Sequence, residues 1–288
     1  MLIGAVQKKT LYHPQKASRM EVAVKKLLCV VFACGVLFRA TLCPAVDTAA
    51  LLAQGQQYEN EQKWSEAFST YSELLKYEPQ HAEGNYRLGR VSERLGSIDS
   101  ALKSYQAALQ ANPGMAEAKR ALAGYYMNRG VGFRLNKQSA EAIQALQQAL
   151  TYDPTSAGTH FELGQEYEQQ RQLDSAVTSY QEAIKLDANH SQAHTRLASV
   201  YTNQGKHDDA VREYQEVLRL NPEDPAGHHG LGVAYSELGQ REQAISSLKQ
   251  AIRFYLRAGH RDKAQPAYTL QKKLEAELYA TPTAGKKK

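Results

Sequence analysis

The fold class that the sequence predicts is an all-α solenoid, six helix–turn–helix units in a row closed by one further helix. Three observations predict it. The stretches HFELGQEY, HTRLASVY and HHGLGVAY begin at His160, His194 and His228, 34 residues apart each time. A fixed internal period of this length marks stacked repeats rather than independent domains. Small, large and turn-forming residues also recur together at constant offsets. Finally, Cys29, Cys34 and Cys43 all precede residue 45, so neither a disulfide framework nor a thiolate zinc site can hold the rest of the chain.

The offsets define each element. With Gly164 as reference, Tyr167, Ala176, Tyr180 and Ala183 follow; one period later stand Ala198, Tyr201, Ala210, Tyr214 and Val217, with Pro222 behind them. Gly55, Gly89, Gly130 and Gly232 head the same series, which gives units 48–81, 82–115, 123–156, 157–190, 191–224 and 225–258. Leu, Gly or Ala, and Tyr at spacings of three and four share one stripe of a helix. The small residue admits the second helix closely, where Ala67, Ala101, Ala176, Ala210 and Ala244 face it. Gly96, Gly205 and Gly239 end first helices. Asp99, Asp174 and Asp208 stand where second helices begin and a carboxylate meets free N–H groups. Proline ends the second helix.

Departures from the period are informative. Between the second and third units lies AEAKRAL, residues 116–122. Seven residues are about two helical turns, so a helix lengthens there without rotating its apolar face. Ala188 replaces proline in the fourth unit. Leu256 replaces it in the sixth, which lets that helix run to about Gly259. A capping helix, Asp262–Tyr279, offers Ala264, Ala267, Tyr268, Leu274 and Leu278 on one side, and TPTAGKKK (281–288) reads as a flexible tail.

The pattern over residues 48–258 resembles the tetratricopeptide repeat. That resemblance implies a right-handed solenoid whose concave surface is lined by the second, fifth, ninth, twelfth and thirteenth places of each unit. The groove candidates are then Tyr86, Arg90, Arg94, Phe161, Gln165, Thr195, Ser199, Asn203 and His229, with Glu59, Glu93, Arg134 and Glu168 beside them. The mixed charge and few aromatic anchors suit an extended or helical peptide. Tyr86, Arg90 and Phe161 lie off the packing stripe and are expected as exposed anchors. The family's carboxylate clamp is not supported, because Gln56 stands where its Asn would be.

Charge excludes one class of partner. The net charge of +5 is misleading, since residues 1–45 hold seven of the 35 Lys and Arg against Glu21 alone. Beyond position 45 the balance is 28 basic to 29 acidic residues, so no basic surface for nucleic acid is implied. The early cations belong to a leader, residues 20–45, in which Lys25 and Lys26 precede the apolar run Leu27–Phe38 and the small-residue site Cys43-Pro44-Ala45. Twelve apolar residues are too few for a membrane span, which needs about 20. Cleavage after Ala45 is expected, with lipidation at Cys34 or Cys43, or an uncleaved tether, as alternatives. Residues 1–19 fit no part of a leader and read as an upstream extension before a start at Met20.

No phosphate loop, nucleophile elbow or H-E-x-x-H motif is present. RGVGF at 129–133 is a weak glycine pair, and Asn189-His190-Ser191 is a glycosylation sequon in an inter-repeat turn. Metal binding by the three periodic histidines would need ligands about 2 Å from one ion, whereas stacked helices lie about 8–10 Å apart. They are expected to be packing residues, and His194→Phe to be tolerated. The sequence therefore points to a non-enzymatic scaffold without cofactor or metal, exported to the periplasm or cell envelope or secreted, with a polypeptide partner. Membrane contact would come only through an uncleaved or lipidated leader. The alternatives are a membrane-tethered subunit of an envelope machine and a recruiting subunit of a separate enzyme.

Overall fold

The computed structural model describes residues 46–280. The leader, its cleavage site, the upstream extension and the 281–288 tail lie outside the described residues. Thirteen helices follow one another, with no strand among the described residues. First helices of the six units are α1 (Thr48–Asn60), α3 (Ala82–Arg94), α5 (Ala116–Leu135), α7 (Ala157–Gln169), α9 (Ser191–Asn203) and α11 (Pro225–Glu237). Second helices are α2 (Trp64–Tyr77), α4 (Ile98–Ala111), α6 (Ser139–Tyr152), α8 (Leu173–Leu186), α10 (His207–Leu220) and α12 (Arg241–Arg257). The cap is α13 (Arg261–Ala280).

Each hairpin closes over its small residue. A Cβ at Gly164 would stand 2.6 Å from the Tyr180 ring, and one at Gly232 would stand 2.7 Å from Leu248. Only a hydrogen leaves room for the second helix at that distance. Tyr71, Tyr105 and Tyr180 are consequently almost fully buried, together with Ala67, Ala101, Ala176, Ala210 and Ala244. Side chains cap four first helices: His81, Ser156, His190 and Asp224 each accept from the N–H three residues on. Second helices lack such caps; Asp99, Asp174 and Asp208 sit one residue inside the helix and act on its dipole.

The turn between paired helices places one residue in the left-handed region every time. Gly96, Gly205 and Gly239 are there at φ +75°, +74° and +73°, and Gln62, Lys137 and Arg171 take the same place at φ 58°, 61° and 60°. The periodic histidines secure the other turn, between units. Nε2 of His160, His194 and His228 donates to the carbonyls of Pro154, Ala188 and Pro222, at 3.2, 3.4 and 3.0 Å. Asn85 does the same to Pro79 at 2.9 Å. Ala188 thus keeps the turn without proline.

His194 corrects one expectation. It is 6% exposed, and its Nδ1 also lies 2.6 Å from a Glu213 carboxylate oxygen. A carbonyl and a carboxylate can only accept, so both ring nitrogens carry protons and phenylalanine could replace neither bond.

The insertion makes α5 a single helix of 20 residues carrying two superposed registers. In one, Ala118, Leu122 and Tyr126 occupy the third, seventh and eleventh places and pack on Ala101, Tyr105 and Ala108 of α4. In the other, seven residues later, Gly130 is the small residue, approached by Leu146 of α6. At the far end α12 stops at Arg257, before Gly259 at φ +79°. The cap buries Ala264, Ala267, Gln271 and Leu274, whereas Tyr268 is 46% exposed and does not join that side.

Candidate binding groove

The structure separates the groove candidates into two groups. In the second unit Tyr86 is half-buried, its ring 5.9 Å from that of Tyr105 and packed on α4 and α5 residues. Arg90 is exposed but lies 3.6 Å from Glu59, and Arg94 is spread over Trp64 at 5.7 Å. In units four to six, Gln165, Thr195, Ser199 and His229 are half-buried and Asn203 is exposed. Thr195 donates its hydroxyl to the Ser191 carbonyl at 2.9 Å, and burial pulls the His229 imidazole below its usual pKa.

Phe161 is not an exposed anchor. It is 8% exposed, between Tyr180 (5.8 Å) and His190 (4.8 Å) and in one cluster with Leu197 of the next unit. The fifth place points across to the following repeat, so a large ring there is covered when that repeat stacks. What it offers the groove is a floor. Phe161, Gln165 and Thr195 line one cavity of about 500 Å³ with Gln192, Arg196 and Asp224. A second cavity of about 240 Å³ shares Gln165 and Arg196 and adds Glu168 and Arg171.

Carboxylates of the twelfth place are held from below. Tyr71, Tyr105 and Tyr180 donate to Glu59, Glu93 and Glu168 at 2.5, 2.6 and 2.7 Å. Burial and these bonds raise all three phenol pKa values, so the hydroxyls stay protonated and the carboxylates stay fixed. The third unit has Arg134 and Leu146 at those places instead. Arg134 crosses to unit four, pairs with Glu162, donates to Gln165 at 2.7 Å and lies 3.6 Å from Glu166. Glu166 is fully buried, where units two and five hold Val91 and Val200. Burial raises its pKa, with Ser139 and Arg134 opposing. Among the described residues no cluster of His, Cys, Asp and Glu is arranged to hold a metal ion.

Tetratricopeptide repeat models match residues 52–116, 93–157 and 226–255, and a TPR repeat model matches 164–205 and 198–239. The chain belongs to the tetratricopeptide repeat family. No curated protein sequence matches it. Among solved structures, that of YrrB, described as a TPR protein with an unusual peptide-binding site, is 20% identical over 70% of this chain and 97% of its own, with a TM-score of 0.50. MamA is 26% identical over 60% of this chain and 96% of its own (TM-score 0.44). PilW, described as a widely conserved type IV pilus biogenesis factor, is 18% identical over 78% and 99% (TM-score 0.44).

Within the tetratricopeptide repeat frame, the residues that sequence reasoning missed stand at the sixth place. Arg87 bridges Glu59 and Glu83, Glu162 pairs with Arg134, and Arg196 joins the two cavities. Helical spacing carried the signal, because the sixth place is four residues from the second and one turn from the ninth.

Proposed function

We propose that this tetratricopeptide repeat protein is a non-enzymatic scaffold that binds an extended polypeptide along α7, α9 and α11. The observation that carries the reading is the pair of linked cavities sharing Gln165 and Arg196 over the Phe161 ring. Amide and hydroxyl groups from Gln165, Gln192 and Thr195 can bond a peptide backbone without demanding one sequence. Arg196 supplies a charge, since it is half-exposed and only loosely opposed by Glu168 at 3.7 Å. Arg and aromatic surface are the types that dominate binding energy at such sites. The 20–45 leader supports a place for the protein outside the cytoplasm, in a cell-envelope assembly.

The test is a pull-down from the protein's own cells with the wild type and with a Gln165→Ala, Thr195→Ala, Arg196→Ala triple variant. Loss of the co-purifying polypeptide with an unchanged unfolding temperature supports the groove. Undiminished co-purification removes it.

A further inference from the structure

The double register of α5 leaves one inter-repeat slot empty. In units four to six the seventh and eleventh places of a first helix are covered by the second helix of the preceding unit. Leu163, Leu197 and Leu231, at the seventh place, are 6%, 1% and 7% exposed. At the eleventh, the hydroxyls of Tyr167, Tyr201 and Tyr235 accept from Gln147, Gln181 and Gln215 of that preceding helix, at 3.2, 2.9 and 3.3 Å.

In unit three these places are Arg129 and Phe133. The preceding second helix, α4, is already occupied by Ala118, Leu122 and Tyr126, the earlier register of the same helix. Because α5 runs antiparallel to α4, Ala118 meets Ala108 and Leu122 meets Ala101. Residues beyond Tyr126 therefore rise past the end of α4 by about two turns, roughly 10 Å. Arg129 is exposed where units four to six bury leucine. A cavity of about 170 Å³ opens beside it, between Tyr126, Arg129 and Phe133 of α5 and Glu141, Gln144 and Gln148 of α6. The α3–α4 turn, at the end of α4 that α5 rises past, carries Leu95 and Ile98, which are 42% and 41% exposed.

We propose that this slot receives an amphipathic, acidic helix of a protein partner, seated as a second repeat helix would be. Shape follows from the equivalent slots of this chain, each of which holds a helix. Chemistry follows from the charge: the Arg129 guanidinium lies over the Phe133 ring at 5.2 Å and forms no ion pair among the described residues, Glu141 on the α6 side of the same cavity accepting from Gln138 instead. A helix presenting a short apolar stripe to Phe133, Leu95 and Ile98, and one carboxylate to Arg129, completes the stack. The site is separate from the concave groove and stands or falls independently of it.

The probe comes from the molecule itself. Helix α6 fills the corresponding slot of unit four, where its Gln147 meets the eleventh place. Two stapled, fluorescein-labelled peptides of residues 139–152 are compared, one native and one with Gln147→Glu, whose carboxylate the mapping sets at Phe133, under the Arg129 guanidinium that lies over that ring. Fluorescence anisotropy with the full chain at low salt is expected to show the Glu peptide bound about tenfold more tightly. Arg129→Gln should erase that difference, and Phe133→Ser should weaken both peptides, while Arg196→Ala in the concave groove changes neither. Equal binding of the two peptides, a preference that survives Arg129→Gln, or loss of binding in Arg196→Ala overturns the proposal. Self-association of the free chain that Phe133→Ser abolishes also overturns it, because the slot would then serve a second copy.

Discussion

Nδ1 of His194 and a carboxylate oxygen of Glu213 lie 2.6 Å apart, joining the first and second helices of unit five beneath the turn that His194 also latches. The Glu213 bond holds the imidazole above its usual pKa of 6.5, against the opposing effect of burial. A raised folded-state pKa contributes stability that is complete below about 6.5 and lost as pH rises through the folded value. Replacing His194 by Phe should lower stability by roughly 1–3 kcal/mol, since a carboxylate loses a charged donor. Unfolding temperatures at pH 5.5 and 8.5 check this: the deficit should be larger at the acid end.

Glu166 gives a second pH dependence in a lower window. Burial raises its pKa, so its contribution is present below about 4.5 and fades as pH rises and the carboxylate ionises in the core. Glu166→Gln should therefore be at least as stable as the wild type at pH 7 and flatten the loss between pH 5 and neutrality. Thermal denaturation across that range reads it directly.

Three side chains bear the strain of a left-handed turn. Gln62, Lys137 and Arg171 hold positive φ where Gly96, Gly205 and Gly239 do so freely. The steric cost is about 1–2 kcal/mol, partly offset by glycine's greater unfolded-state freedom, roughly 0.5–1 kcal/mol. Each change to Gly should raise stability by up to about 1 kcal/mol, measured by urea unfolding at constant m-value.

Close approach makes the opposite prediction at Gly164. A Cβ there would meet the buried Tyr180 ring at 2.6 Å. Gly164→Ala should cost about 1–3 kcal/mol by overpacking, while Gly158→Ala, with open space around its Cβ position, should cost nothing or stabilise the same helix. Paired denaturation curves decide it.

The period made most of the fold legible, because each packing place must carry the same kind of residue in every unit. Gly164 against Tyr180 could be read from spacing alone, and so could the lengthening of α5, since seven residues preserve the face of a helix. Phe161 could not, because its covering comes from Leu197 in the next unit, a contact outside any single repeat. Glu213 is 19 residues from His194, on the other helix of its hairpin, so the charge on that ring was equally invisible. Arg196 stands one place from Thr195, but the family frame names the fifth and ninth places and not the sixth between them.

Photo-crosslinking tests the central claim most directly. A benzoylphenylalanine placed at Gln192 in the concave cavity, and another at Lys185 on the exposed face of α8, are introduced into the full chain in its own cells. The account predicts a discrete crosslinked polypeptide from position 192, lost on adding Arg196→Ala, and none from position 185. Crosslinks of equal strength from both positions, or one at 192 that ignores Arg196→Ala, would contradict it.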